Sequence, residues 1–172
     1  MKTYLKLPIT LILTYFTYSY LIKNPYQDGL LYGINLGIHE FGHVFMMLVS
    51  KNSVLISLGG TIFQLLMPTV FLFYFLYKKN MFGVLFCFFW FSQNLVNVGV
   101  YMLDANLRVL PLLGGNVDGH DWHNIFSRLN LLSKAEIYGE RTIGLGKFSM
   151  ILSLILMYVE VFYRKIGVTL KR

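Results

Sequence analysis

Apolar residues fall into five blocks along the chain, the first four separated by short polar breaks and the last by a long polar region. Two of them, 53–77 and 80–103, contain no Asp, Glu, Lys or Arg. Each exceeds the roughly 20 residues with which a helix crosses about 30 Å of hydrocarbon. Block 29–50 is apolar apart from Asn35, His39, Glu40 and His43, block 144–163 carries Lys147 and Glu160, and block 5–22 carries Lys6. The pattern predicts five transmembrane helices over 5–22, 29–50, 53–77, 80–103 and 144–163. The first block has the charge and length of a secretory signal, but it is crowded with Tyr and Thr and no small-x-small cleavage site follows. It therefore reads as a retained helix, with a cleaved signal as the alternative.

Residues 24–29 form a polar turn between the first two blocks, and Lys78-Lys79-Asn80 forms a tight turn between the third and fourth. Connections this short predict antiparallel neighbours. The one long polar region runs from 104 to about 147 and contains the breaker cluster Leu113-Gly114-Gly115-Asn116. Within it Trp122, Ile125, Phe126, Leu129 and Leu132 recur at helical spacing, which predicts a short amphipathic helix over 121–132. The expected fold is an all-α, polytopic membrane helix bundle forming a single domain over 1–172.

Composition reinforces this class: 56% of the 172 residues are apolar and 13% are charged, far from the balance of a soluble domain. The net charge of +7 forms no continuous basic face. Lys23, Lys51, Lys78, Lys79, Arg164 and Lys165 sit at the ends of apolar runs, as headgroup anchors do, and nucleic acid is excluded as a partner. The basic residues divide almost evenly between the two sides of the predicted bundle, so charge asymmetry does not orient it. A lone cysteine, Cys87, permits no intrachain disulfide and reads as packing.

The chemistry concentrates at His39-Glu40-Phe41-Gly42-His43. On a helix, positions four apart project from one face, so the two imidazoles can grip a single metal ion. Glu40, on the adjoining edge, can accept a proton from water activated by that ion. His39 falls about 15 Å along its helix, near the bilayer midplane, where an ionisable group is costly and by default functional. The bland alternative is a chance motif whose histidines bond to neighbouring helices. The other two of the chain's four histidines form a second cluster, His120 and His123, beside Asp118 and Asp121. A catalytic zinc takes three protein ligands, so this cluster is the natural source of the third, with a polar helix cap as the plain alternative.

These residues resemble the site-2 protease family of intramembrane zinc proteases. That family carries His-Glu-x-x-His in one membrane helix, then Gly-x-x-x-Asn, then a later Asn-x-x-Pro…Leu-Asp-Gly segment. The first element is complete here; Gly60-Thr61-Ile62-Phe63-Gln64 matches the second with Gln in place of Asn, and 110–119 echoes the third. The resemblance implies a Zn2+ cofactor held by His39, His43 and an aspartate, with Glu40 as general base and acid. It also implies that Gln64 steadies the oxyanion. Asp118-Gly119 matches the family's letters, whereas Asp121, followed by Ile125 and Phe126, matches the apolar spacing after the family's aspartate. Asp121 is preferred as third ligand, with His120 and Asp118 as alternates.

The implied activity is hydrolysis of a peptide bond in a membrane-associated protein or peptide, in contact with membrane lipid. Two other classes compete: a divalent-metal transporter or metal-binding membrane protein, and a metallohydrolase acting on a non-peptide substrate with the same residues. Whether a second copy or a partner subunit takes part stays open at this point. Gln93, Asn94 and Asn97 are expected to bond between helices, Asp104 and Arg108 to form a local ion pair or Asp104 to support the metal, and Glu160 to pair within the bundle or with Arg164. Trp122 reads as an interfacial anchor. The remaining aromatic residues read as lipid-facing or packing groups.

Overall fold

A computed structural model of the protein describes residues 3–22, 30–113 and 117–169. Among these residues every regular element is helical: α1 Thr3–Ile22, α2 Leu30–Val49, α3 Ser53–Tyr77, α4 Met81–Leu103, α5 Asp121–Arg128 and α6 Ala135–Thr169. Two 3-10 turns, Val117–Gly119 and Leu132–Lys134, precede α5 and α6. Three helical segments are long and apolar enough to cross a membrane: Ser53–Tyr77, Met81–Leu103 and Leu132–Tyr163. The 24–29 turn, residues 114–116 of the breaker cluster and the anchor Lys23 lie outside the described residues, as do the side chains of Arg164 and Lys165.

The tight breaks behave as their residues dictate. Asn52 caps α3 by accepting the amide of Val54 at 2.9 Å, and α2 folds back onto α3 across 50–52. Lys79 takes a positive φ of 52° in the α3–α4 turn, and the Asn80 side chain then caps α4 at Gly83. The antiparallel pairs α2/α3 and α3/α4 follow.

The direction of α1 is a correction. Lys6, near the start of α1, lies over the ring of Phe82 near the start of α4, and Tyr20, near its end, bonds to Asn97. Asn35 of α2 reaches Gln93 and Trp90, so α1, α2 and α4 all run the same way. The short 24–29 connection by itself predicts an antiparallel α1/α2 pair. Pairing of Lys6 with Glu160 at 3.1 Å decides the matter, because it ties the start of α1 to the far end of α6. Lys6 is buried there.

The sixth helix is longer than its apolar block. It starts at Ala135 rather than at 144, because its first turns use small residues as a packing face. Ala135, Gly139 and Gly146 are buried while Glu136, Glu140 and Arg141 are exposed. A Cβ on Gly99 of α4 would lie 2.8 Å from the Gly139 carbonyl oxygen, so the two backbones touch. Between apolar helices in lipid such close packing and interhelical hydrogen bonds carry the association, since burial from hydrocarbon gains little. Phe82, Phe89, Val96, Met150, Leu154 and Met157 fill the α4/α6 core around these contacts.

The predicted amphipathic helix also forms, but it ends at Arg128 because Asn130 turns left-handed with φ 57°. Trp122, Ile125 and Phe126 are buried against Val98, Ala105 and Ala135. Trp122 is therefore a core residue of the bundle and not an interfacial anchor.

Candidate metal centre

Three glycines set the site by letting α2 and α3 approach. A Cβ on Gly42 would strike the Gly59 carbonyl, one on Gly59 would lie 2.6 Å from the Gly42 oxygen, and one on Gly60 would enter the His39 ring. With no side chains between them, the helices bring the His43 ring to the backbone of α3 and the His39 ring to Gln64. His43 Nδ1 lies 2.8 Å from the Ile56 carbonyl oxygen, and His39 Nδ1 lies 3.1 Å from Gln64 Oε1.

These partners fix which nitrogen carries the proton. A backbone carbonyl only accepts, so His43 Nδ1 must donate to Ile56. For His39 the constraint passes through two amides. Asn94 Nδ2 donates to the Trp90 carbonyl at 3.1 Å, which leaves Asn94 Oδ1 to accept from Gln64 Nε2 at 2.7 Å. Gln64 Oε1 then accepts from His39 Nδ1. In the neutral rings both Nε2 atoms bear lone pairs.

Both lone pairs face one carboxylate oxygen. Asp121 Oδ2 lies 3.0 Å from His39 Nε2 and 3.1 Å from His43 Nε2, and the rings stand 4.7 Å apart. Three acceptors facing one another need positive charge between them. One proton serves only one of the two contacts, and two protons would place two imidazolium rings side by side in a buried site. A single dication serves all three. Tetrahedral bonds of about 2.0–2.2 Å place neighbouring ligand atoms about 3.3–3.6 Å apart, close to the observed spacing. One ligand atom from each of His39, His43 and Asp121 lies within 4.8 Å of the others, the one such group among the described residues.

A second polar cluster presents Asp121. The His120 side chain caps α5, its Nδ1 accepting the amide of His123 at 3.1 Å, so its proton is on Nε2, which donates to Asp104 Oδ2 at 3.2 Å. His120 has no exposed surface. Burial pushes its imidazole below the ordinary pKa, and the neighbouring Asp104 charge offsets this only in part. Asp104 also accepts the amides of Val109 and Leu110, each at 3.0 Å, which replaces the expected ion pair with Arg108. Tyr101 Oη accepts the amide of Asp121 at 3.1 Å and lies 3.4 Å from its Oδ2. The last turn of α4 thus anchors the acid through Tyr101, while Asn94, near the middle of the same helix, orients His39 through Gln64.

Of the predicted residues, His39, His43 and Asp121 converge. The alternates do not: His120 spends both nitrogens on Asp104 and the cap, and Asp118 is exposed in the 3-10 turn before α5. Glu40 is exposed and lines the same cavity as the three. Gln64 also lines it, but its bonds run to His39 and Asn94, which makes it a residue that orients His39 rather than one directed at an oxyanion. As expected, Gln93, Asn94 and Asn97 bond between helices. Tyr20 and Tyr101, read from sequence as packing or lipid-facing, are working members of the polar network, and no spacing in the sequence marks them.

The cavity measures about 600 Å³ and lies between α2, α4 and the strap 110–113. It exists because α2 packs along α3 and makes little direct contact with α4. The described structure is thus an all-helical chain with membrane-length helices and a metal-competent triad. Comparison with protein-family models, with curated proteins and with solved structures gives no match to this chain.

Proposed function

We propose that the chain is a membrane-embedded zinc metalloprotease, a divergent relative of the site-2 proteases, in which His39, His43 and Asp121 hold the ion. α1 and α2 lie in the bilayer beside the three longer apolar helices, which gives five embedded helices. The observation that carries the reading is the meeting of two Nε2 lone pairs with one carboxylate oxygen. A bound dication would polarise water and a substrate carbonyl at that point. Gln64 and the Ile56 carbonyl hold the two rings in the tautomer that offers Nε2, a role outer-shell partners commonly play. Glu40, facing the same cavity, takes a proton from the attacking water as its oxygen bonds to the carbonyl carbon. It then delivers that proton to the amine as the C–N bond breaks. The substrate is a membrane-associated protein or peptide, unwound locally so that its carbonyl is accessible.

The transporter reading is less well supported, since a path needs ligands at several depths and the described residues hold one metal-competent group. The test is a purified chain in proteoliposomes with membrane-associated peptides. Zinc-dependent cleavage that Glu40→Gln abolishes supports proteolysis. Zinc uptake that depends on His39 without cleavage supports transport, and cleavage of esters alone supports a non-peptide hydrolase.

A further inference from the structure

We infer that the Thr61 hydroxyl donates to a neutral carbonyl oxygen of the molecule that occupies the cavity beside His39, His43 and Asp121. This inference rests on the metal-centre reading above and assigns its substrate an amide or ester carbonyl. Thr61 is 7% exposed, and its Oγ1 is buried without a hydrogen-bond partner. That state sets it apart from other helical threonines. Thr10, Thr14, Thr17, Thr69 and Thr142 each donate to the carbonyl four residues earlier, at 2.7–2.9 Å. Thr61 makes no such bond to Ser57, so its hydroxyl is held in reserve. Buried polar groups are almost always paired, and an exception at a functional site calls for a partner that arrives from outside.

Position on α3 names where that partner sits. Gly60, the residue before Thr61, lies against the His39 ring, and Gln64, three residues on, bonds to that ring. Thr61 lines the cavity with them. The charged residues along that lining are Glu40 and Asp121, and neither Lys nor Arg is among the described residues there. With a dication held by His39, His43 and Asp121, these two carboxylates bring the lining close to neutral, and no cation is left over to pair with a charged ligand, which suits a neutral acyl compound. Leu36, Val98, Val100 and Leu112 supply an apolar wall for the rest of it.

The experiment uses the full chain in detergent, loaded with zinc, and acetohydroxamic acid as the probe, a small carbonyl compound that is neutral in solution and chelates zinc through its carbonyl oxygen and its hydroxyl oxygen, whose proton passes to the buffer. Zinc content is measured for wild type, Thr61→Val and Thr61→Ser. The inference predicts equal zinc in all three, probe binding about tenfold weaker in Thr61→Val, and Thr61→Ser within about twofold of wild type. It also predicts that Thr61→Val without probe melts no lower than wild type, since the hydroxyl has no partner to lose. Probe binding unchanged in zinc-loaded Thr61→Val overturns this inference alone. A lowered melting temperature for that variant does the same, because it reveals a structural bond. Wild type that takes up no zinc overturns the metal centre and this inference together.

Discussion

His43 Nδ1 and the Ile56 carbonyl oxygen are 2.8 Å apart, and this one contact between α2 and the first turn of α3 decides the state of the ring. The carbonyl cannot donate, so the proton stays on Nδ1 and the other nitrogen turns its lone pair toward Asp121. The contact depends on Gly42 and Gly59, whose backbones touch.

Gly42→Ala should therefore damage site and fold together. The added methyl meets a backbone carbonyl that has no rotamer to change, so α2 must move away from α3. The expected cost is about 1–3 kcal/mol of stability, read from thermal unfolding in detergent, with weaker zinc binding because His43 loses Ile56. Wild-type melting and zinc affinity in the Gly42→Ala variant would show that the close approach is not needed.

Gln64→Leu keeps size and removes the acceptor for His39 Nδ1. Loss of such an outer-shell partner typically weakens metal binding about 10–100-fold. A zinc titration against a competing chelator measures it, and unchanged affinity would return Gln64 to some other role.

How much of this was legible beforehand differs by element. Runs 53–77 and 80–103 translate directly into α3 and α4, since a long uncharged block has few other structures open to it. The start of α6 was hidden because its packing face is Ala135 and Gly139, which register as neither apolar nor periodic. Direction of α1 was hidden too: a short connection suggests antiparallel neighbours, and only the pairing of Lys6 with Glu160 reveals otherwise. Within the site, the motif on α2 is complete in the sequence, whereas the third ligand is not: Ile125 and Phe126 favour Asp121 only through the resemblance, and Asp118-Gly119 offers a competing match. Asp104 and His120 lie sixteen residues apart, with no pattern joining them. Thr61 looked like any threonine in an apolar helix.

His120→Ala separates a cap from a ligand. The substitution removes the side-chain cap of α5 and one of the three donors to the buried Asp104 carboxylate, which keeps the amides of Val109 and Leu110, at a cost of about 1–3 kcal/mol. At saturating zinc the variant should still bind one ion per chain. Loss of the ion in a protein that remains folded by circular dichroism would make His120 a ligand after all.

Glu40→Gln should leave zinc content intact and lower peptide cleavage by about 10²–10⁴-fold, the range a positioned acid–base group contributes. Cleavage at the wild-type rate in a protein free of contaminating peptidase would remove Glu40 from the reaction.

The most direct measurement is elemental analysis of the purified chain after zinc loading and dialysis, beside Asp121→Ala, His39→Ala and Asp118→Ala. The account predicts about one zinc per chain in wild type and in Asp118→Ala, and none retained in Asp121→Ala or His39→Ala. A wild type that retains no ion, or an Asp121→Ala protein that holds zinc as tightly as wild type, would contradict it.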